Sequence, residues 1–151
     1  MPPQPATVYL EDLSVGDEFR SGEYQLDEDQ IVAFAREFDP QPFHTDGEAA
    51  QQTFFQGLAA SGWHTAAITM KLLVQSVPLG GGLIGAGGSL EWPRPTRPGD
   101  TLRAHCRVLE IKPSRSKPDR GIVTTETLTL NQRGETCQRL VTQMVVMRRP
   151  A

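Results

Sequence analysis

Cysteine is scarce in this sequence, and the two present, Cys106 and Cys137, stand too far apart for a C-x-x-C metal or redox motif. In a reducing compartment they are expected to be free thiols in the core. Basic charge is not in excess either. The formal net charge is −3, which argues against wholesale nucleic-acid binding, where Lys and Arg must neutralise many phosphates. Nowhere does an apolar run approach the ~20 residues needed to span a bilayer, so no membrane insertion is expected. Met1-Pro2-Pro3-Gln4-Pro5 shows neither the basic n-region nor the apolar h-region of a secretory signal, and the expected compartment is the cytoplasm. Internal repeats, low-complexity tracts and long linkers are also missing. The 151 residues are therefore expected to form one domain, 1–151, around one core.

What is present has a helical first half and a stranded second half. Ile31, Phe34, Ala35 and Phe38 recur at helical spacing behind Asp27 and Gln30, a capping-box pair. Pro40 lacks a backbone donor, so this helix should stop at Phe38 or Asp39. Thr45 and Glu48 suggest a second cap, ahead of a short helix over Glu48-Ala49-Ala50-Gln51. From Ser61 to Val77, apolar residues keep helical spacing with Lys71 as the only formal charge, which predicts a helix buried on most of its surface. Strands are expected at 18–25, 83–92, 102–108, 122–130 and 136–147, the last two joined by a hairpin at 131–135. Such an order indicates the α+β class, with an antiparallel sheet wrapped around the apolar helix.

Several motifs invite chemical readings. Gly80-Gly81-Gly82-Leu83-Ile84-Gly85 formally matches G-x-G-x-x-G, but it follows a helix and opens a strand, the reverse of a dinucleotide-binding turn. Gly85, Gly87 and Gly88 are better read as places of close backbone approach or strand curvature. His44, Asp46 and His64 offer zinc-competent donors without a supporting spacing, and no metal is expected. More informative is Asp39-Pro40-Gln41-Pro42-Phe43-His44, where a helix end and two prolines restrict the backbone between a carboxylate and an imidazole. A preorganised pair of this kind suits general acid–base work on one water or substrate. On spacing alone the plainer reading stands ahead: Asp39 as a turn residue before proline, and His44 packing beside Phe43.

Phe38 to Asp46, Gly57 to Thr65 and Trp92 to Thr101 together resemble the MaoC-like dehydratases and (R)-specific enoyl-CoA hydratases, and the resemblance covers most of the chain. It implies a hotdog fold, a homodimer or assembly of dimers, and hydration of a trans-2-enoyl thioester, or the reverse dehydration. Asp39 and His44 would activate the water, and the Gly62 N–H would stabilise charge on the thioester oxygen. Gln41 stands where the family usually has Asn, Ser61-Gly62-Trp63 where it typically has His-Gly-Met, and Met70 where some relatives carry Ser. Gln41, Pro42, Phe43, Ser61 and Trp63 are the expected substrate-binding residues, with Arg115, Lys117 and Arg120 as candidates for the nucleotide end. The partner would be an acyl-CoA or acyl-carrier-protein thioester, with coenzyme A present only as part of the substrate and no other cofactor. Rival readings on the same scaffold are an acyl-CoA thioesterase and a catalytically silent acyl-thioester-binding protein.

Overall fold

The computed structural model describes residues 6–151, and the Met1–Pro5 stretch lies outside the described residues. Helix α1 runs over Glu28–Phe38. Asp27 Oδ1 accepts from the Gln30 N–H at 2.8 Å and Gln30 Oε1 accepts from the Asp27 N–H at 2.9 Å, so the expected capping box is formed at both ends. The helix ends on Asp39, whose N–H still reaches the Ala35 carbonyl at 2.8 Å. Pro40 follows and has no N–H to continue the ladder.

Two single-turn helices follow, α2 over Pro42–Thr45 and α3 over Gly47–Ala50. Here the second cap differs from expectation. Thr45 is enclosed in α2 and its hydroxyl donates to the Gln41 carbonyl at 3.1 Å. Asp46, one residue on, caps α3 instead, its Oδ1 accepting from the Glu48 and Ala49 N–H groups at 3.0 and 3.1 Å.

The long helix α4 spans Gly62–Ser76. It buries His64, Thr65, Ile68, Thr69, Leu72 and Leu73, but it is not covered on most of its surface as the composition suggested. Trp63, Met70 and Val74 are 59%, 46% and 59% exposed. Their spacing places them on one stripe of the helix, and a single curved sheet can cover only the opposite side.

That sheet has five antiparallel strands: β1 over Glu18–Gln25, β2 over Ile84–Glu91, β3 over Thr101–Pro113, β4 over Arg120–Leu130 and β5 over Thr136–Met147. Their order is β1-β3-β4-β5-β2, so the first strand after α4 crosses to the far edge and pairs with the last. Glycine allows that pairing. Gly87 has φ +149° at a bulge in β2, and a Cβ on Gly88 would collide with the Val141 carbonyl oxygen. Leu102, Ala104, Cys106 and Val108 alternate along the inner face of β3, none more than 2% exposed, and meet Ile68 and Leu72 of α4 in one core. A curved antiparallel sheet holding one apolar helix is the α+β hotdog arrangement.

Candidate active site

The end of α1 and the start of α4 converge on one carboxylate and one imidazole. Asp39 leaves α1 with its carbonyl accepting from the Gln41 N–H at 2.8 Å. Pro42 opens α2, and the His44 N–H returns to the Gln41 carbonyl at 2.9 Å. This tight path brings His44 Nε2 to 3.3 Å from Asp39 Oδ2, with the two side chains 6% and 17% exposed.

His44 Nδ1 lies 2.6 Å from the Ala59 carbonyl oxygen. A carbonyl only accepts, so Nδ1 carries a proton, and in the neutral ring Nε2 is left as the lone pair facing Asp39. Carboxylate and lone pair are both acceptors. A proton between them, on the imidazole or brought by water, turns that opposition into attraction. Phe43 braces the ring edge-on, its centroid 4.6 Å away.

Asp39 is held from two further sides. Ser61 Oγ donates to Oδ2 at 2.7 Å and Gln41 Nε2 donates to Oδ1 at 2.5 Å. Partial burial pushes the carboxyl up, but the hydrogen bonds from Gln41 and Ser61, with the His44 ring beside it, outweigh it, and its pKa is held below the ordinary aspartate value. It is a carboxylate at neutral pH. Gln41 and Ser61 were expected among substrate-contacting residues, and the structure engages both with Asp39, Ser61 from the interior and Gln41 from the exposed side of the loop. Ser61 is fully buried, while the longer amide of Gln41 folds back onto Asp39. Pro42 and Phe43 likewise shape the loop without lining the cleft.

The cleft encloses about 390 Å³ and is lined by His44, Phe54, Phe55, Gly62, Thr65, Trp92 and Cys137, among others. Gly62 is the first residue of α4, whose opening N–H groups lack partners within the helix. A Cβ on Gly62 would lie 2.6 Å from the Trp92 ring, so only glycine lets the indole close over the helix start. Trp63 lies outside this cleft and packs edge-on against Trp92, centroids 5.4 Å apart. Residue 63 follows Gly62 by about 100° of helical rotation, which carries it to the uncovered side.

Cys137 brings a thiol to the cleft wall. It is fully buried, and burial pushes its pKa up, so it stays protonated and is a poor nucleophile.

Three groups fall outside the sequence-level reading. Arg97 donates to the carbonyls of Phe55, Gly57 and Leu58, at 2.6, 3.1 and 3.2 Å, fixing the loop that forms one lip of the cleft. Beneath the cleft, Trp92 Nε1 donates to Gln138 Oε1 at 2.9 Å, and Gln138 Nε2 donates to Thr69 Oγ1 at 3.2 Å. Thr65 and Thr96 pair through their hydroxyls at 3.1 Å. An amide in a strongly apolar strand was the available signal for Gln138, since such a group needs partners. Arg97 could have been found as a cation among turn residues.

The basic candidates are not gathered here. Arg115 and Lys117 are exposed on the β3–β4 hairpin and Arg120 begins β4, ion-paired to Asp119 at 2.9 Å. β4 then runs 11 residues to Leu130 at the cleft end of the sheet, a strand length of roughly 35 Å. Within one chain they are remote from His44. His64, weighed as a metal donor, stacks on Phe34 at 4.4 Å, and burial pushes its pKa down. Among the described residues no cluster of three or more His, Cys, Asp or Glu has metal-site geometry, and no helix is long and apolar enough to cross a membrane.

Similarity to known proteins agrees with this arrangement. The model of the MaoC like domain matches residues 12–131. The uncharacterized protein YdeM of Bacillus subtilis is 35% identical over 127 residues, covering 82% of this chain and 88% of its own. A crystal structure of a MaoC-like dehydratase from Rhodospirillum rubrum is 59% identical, with a TM-score of 0.94 over 95% of this chain and 99% of that one. An (R)-hydratase from A. caviae, involved in PHA biosynthesis, is 28% identical with a TM-score of 0.71, over 92% of this chain and 99% of its own. With the domain model spanning most of its length, the chain belongs to the MaoC-like family.

Proposed function

We propose that this protein is an enoyl-thioester hydratase, adding water to a trans-2-enoyl-CoA or carrier-protein thioester, or catalysing the reverse dehydration. The observation that carries this reading is the 3.3 Å approach of His44 Nε2 to Asp39 Oδ2, in a loop adjoining the cleft where α4 begins. Water held by the pair loses a proton to it as oxygen bonds to C3 of the alkene. The pair then returns a proton to C2, so water is added with no net change in the protein. Negative charge passing through the thioester oxygen is stabilised by the Gly62 N–H at the helix N-terminus. The chemistry draws on these groups alone, with coenzyme A entering only as part of the substrate.

Asp39 and His44 have separable duties in this scheme. The Ala59 carbonyl keeps the His44 Nε2 lone pair available, while Asp39 stays ionised through Gln41 and Ser61 and steadies the imidazolium that forms. The uncovered Trp63, Met70 and Val74 stripe and the exposed edge strand β2 support a homodimer or an assembly of dimers.

The test is hydration of crotonyl-CoA, following loss of enoyl absorbance and, in parallel, release of free thiol. Asp39→Asn and His44→Ala should each lower turnover by about 10²–10⁴-fold with the fold intact by circular dichroism. Thiol release without alkene loss would assign a thioesterase, and full activity in either variant would refute the division of labour between Asp39 and His44.

A further inference from the structure

A second cavity of about 200 Å³ lies farther along α4, lined by Ala66, Met70, Leu73, Leu90, Leu140 and Met144 among others, and its walls are almost wholly apolar. It shares no lining residue with the cleft over His44. Yet the two are neighbours on one helix: Gly62 and Thr65 face the cleft, while Ala66 and Met70 face the second cavity. Gly62 and Met70 are eight residues apart, about 12 Å of helix. An acyl chain whose carbonyl sat at the Gly62 N–H and which ran along α4 would reach the second cavity within a few carbons.

Two tryptophans stand beside the start of that path. Trp92 lines the cleft and closes against Gly62, and Trp63 lines an open groove with Leu90 and Leu140, two residues that also line the second cavity. Their rings meet edge to face at 80°. The Trp92 indole is also tethered from below by Gln138, which is fully buried, and Gln138 is held by Thr69. Thr69 in turn bonds the Thr129 hydroxyl at 2.6 Å and donates to the Thr65 carbonyl at 2.8 Å. Burying an amide and several hydroxyls is costly unless each is hydrogen-bonded. This network meets that condition, and it fixes the orientation of one indole.

We propose that the Trp63–Trp92 pair, anchored by Gln138, is a partition that closes the catalytic cleft against the apolar cavity and restricts the substrate to a short acyl chain. The inference rests on the acyl-thioester reading of the cleft. Trp92 is thereby a specificity-determining residue, and Gln138 positions it.

The experiment measures calorimetric binding of butyryl-CoA and octanoyl-CoA to the full chain, to Trp92→Leu and to Ala66→Leu. Because the longer chain has no room behind the partition, the native protein should bind butyryl-CoA about tenfold or more tightly than octanoyl-CoA. Trp92→Leu should favour octanoyl-CoA by about tenfold or more, since each newly buried methylene contributes roughly fourfold. Ala66→Leu fills the second cavity and should leave the native ratio unchanged. A native preference for octanoyl-CoA that Ala66→Leu removes, or a folded Trp92→Leu protein without the gain, would overturn the partition. Should Trp92→Leu fail to fold by circular dichroism, the Ala66→Leu ratio decides alone. If the native chain binds neither ligand, both this inference and the acyl-thioester reading fall. If it binds both in the expected ratio but does not hydrate crotonyl-CoA, hydration falls and the partition stands.

Discussion

Replacing Ser61 with alanine removes one hydroxyl that serves two structures. Ser61 Oγ donates to Asp39 Oδ2 at 2.7 Å and accepts from the Trp63 N–H at 3.3 Å as the N-cap of α4. A hydrogen bond to a charged group contributes about 1.5–3 kcal/mol, and loss of an N-cap costs typically about 1 kcal/mol. Because one oxygen makes both contacts, the terms do not simply add, and about 2–3 kcal/mol is expected. For a protein of this size that corresponds to a fall in Tm of roughly 4–12 °C.

The same change has a pH signature. Asp39 is held below the ordinary carboxylate range in the folded protein, so its contribution is present above the unfolded aspartate value, about 3.9. That contribution is lost as pH falls through the lower, folded value. Without Ser61 the folded value rises toward the unfolded one. Part of the contribution then disappears at all pH values above both, and the acid limbs of stability and of hydratase activity move to higher pH. Differential scanning fluorimetry across pH, with crotonyl-CoA turnover on the same samples, reads both effects. Unchanged Tm together with an unshifted acid limb would show that Ser61 does not hold Asp39.

Two further substitutions test the surroundings of the pair. Gly62→Ala should depress turnover by about tenfold or more with a modest Tm change, because the added methyl meets the Trp92 ring at 2.6 Å while alanine suits a helix; a shift in tryptophan fluorescence would report the displaced indole, and native turnover would show the contact to be soft. Arg97→Lys keeps the charge but loses the fork that reaches three carbonyls, so a loss of about 1–3 kcal/mol in urea unfolding is expected, with faster proteolysis between Phe54 and Leu58. Native-like protection of that loop would remove Arg97 from its support.

Local signals carried much of the architecture. The Asp27–Gln30 capping box, the stop before Pro40, the alternation through Leu102 to Val108 and the hairpin at Asn131–Glu135 depend on residues near one another in sequence. Each was therefore legible before any contact was known. The one misplaced cap shows the limit of such reading: Thr45 and Asp46 are both competent, and only the enclosure of Thr45 in α2 chose between them.

For the site, the Asp39–His44 spacing and the glycine at the head of α4 were visible as a pattern, yet a turn-and-packing reading fitted the spacing better. What the pattern lacked was direction. The Ala59 carbonyl that sets the His44 tautomer, the Ser61 hydroxyl on Asp39 and the Gln138 amide beneath Trp92 all come from distant segments. The edge placement of β2, the stripe of α4 left uncovered and the separation of the basic hairpin from His44 likewise follow from strand order. Periodicity and backbone restriction act over a few residues, so sequence alone determined which segments form and which side chains are available for chemistry. Long-range packing decided where those side chains point, which are restrained and which two cavities the tryptophans keep apart.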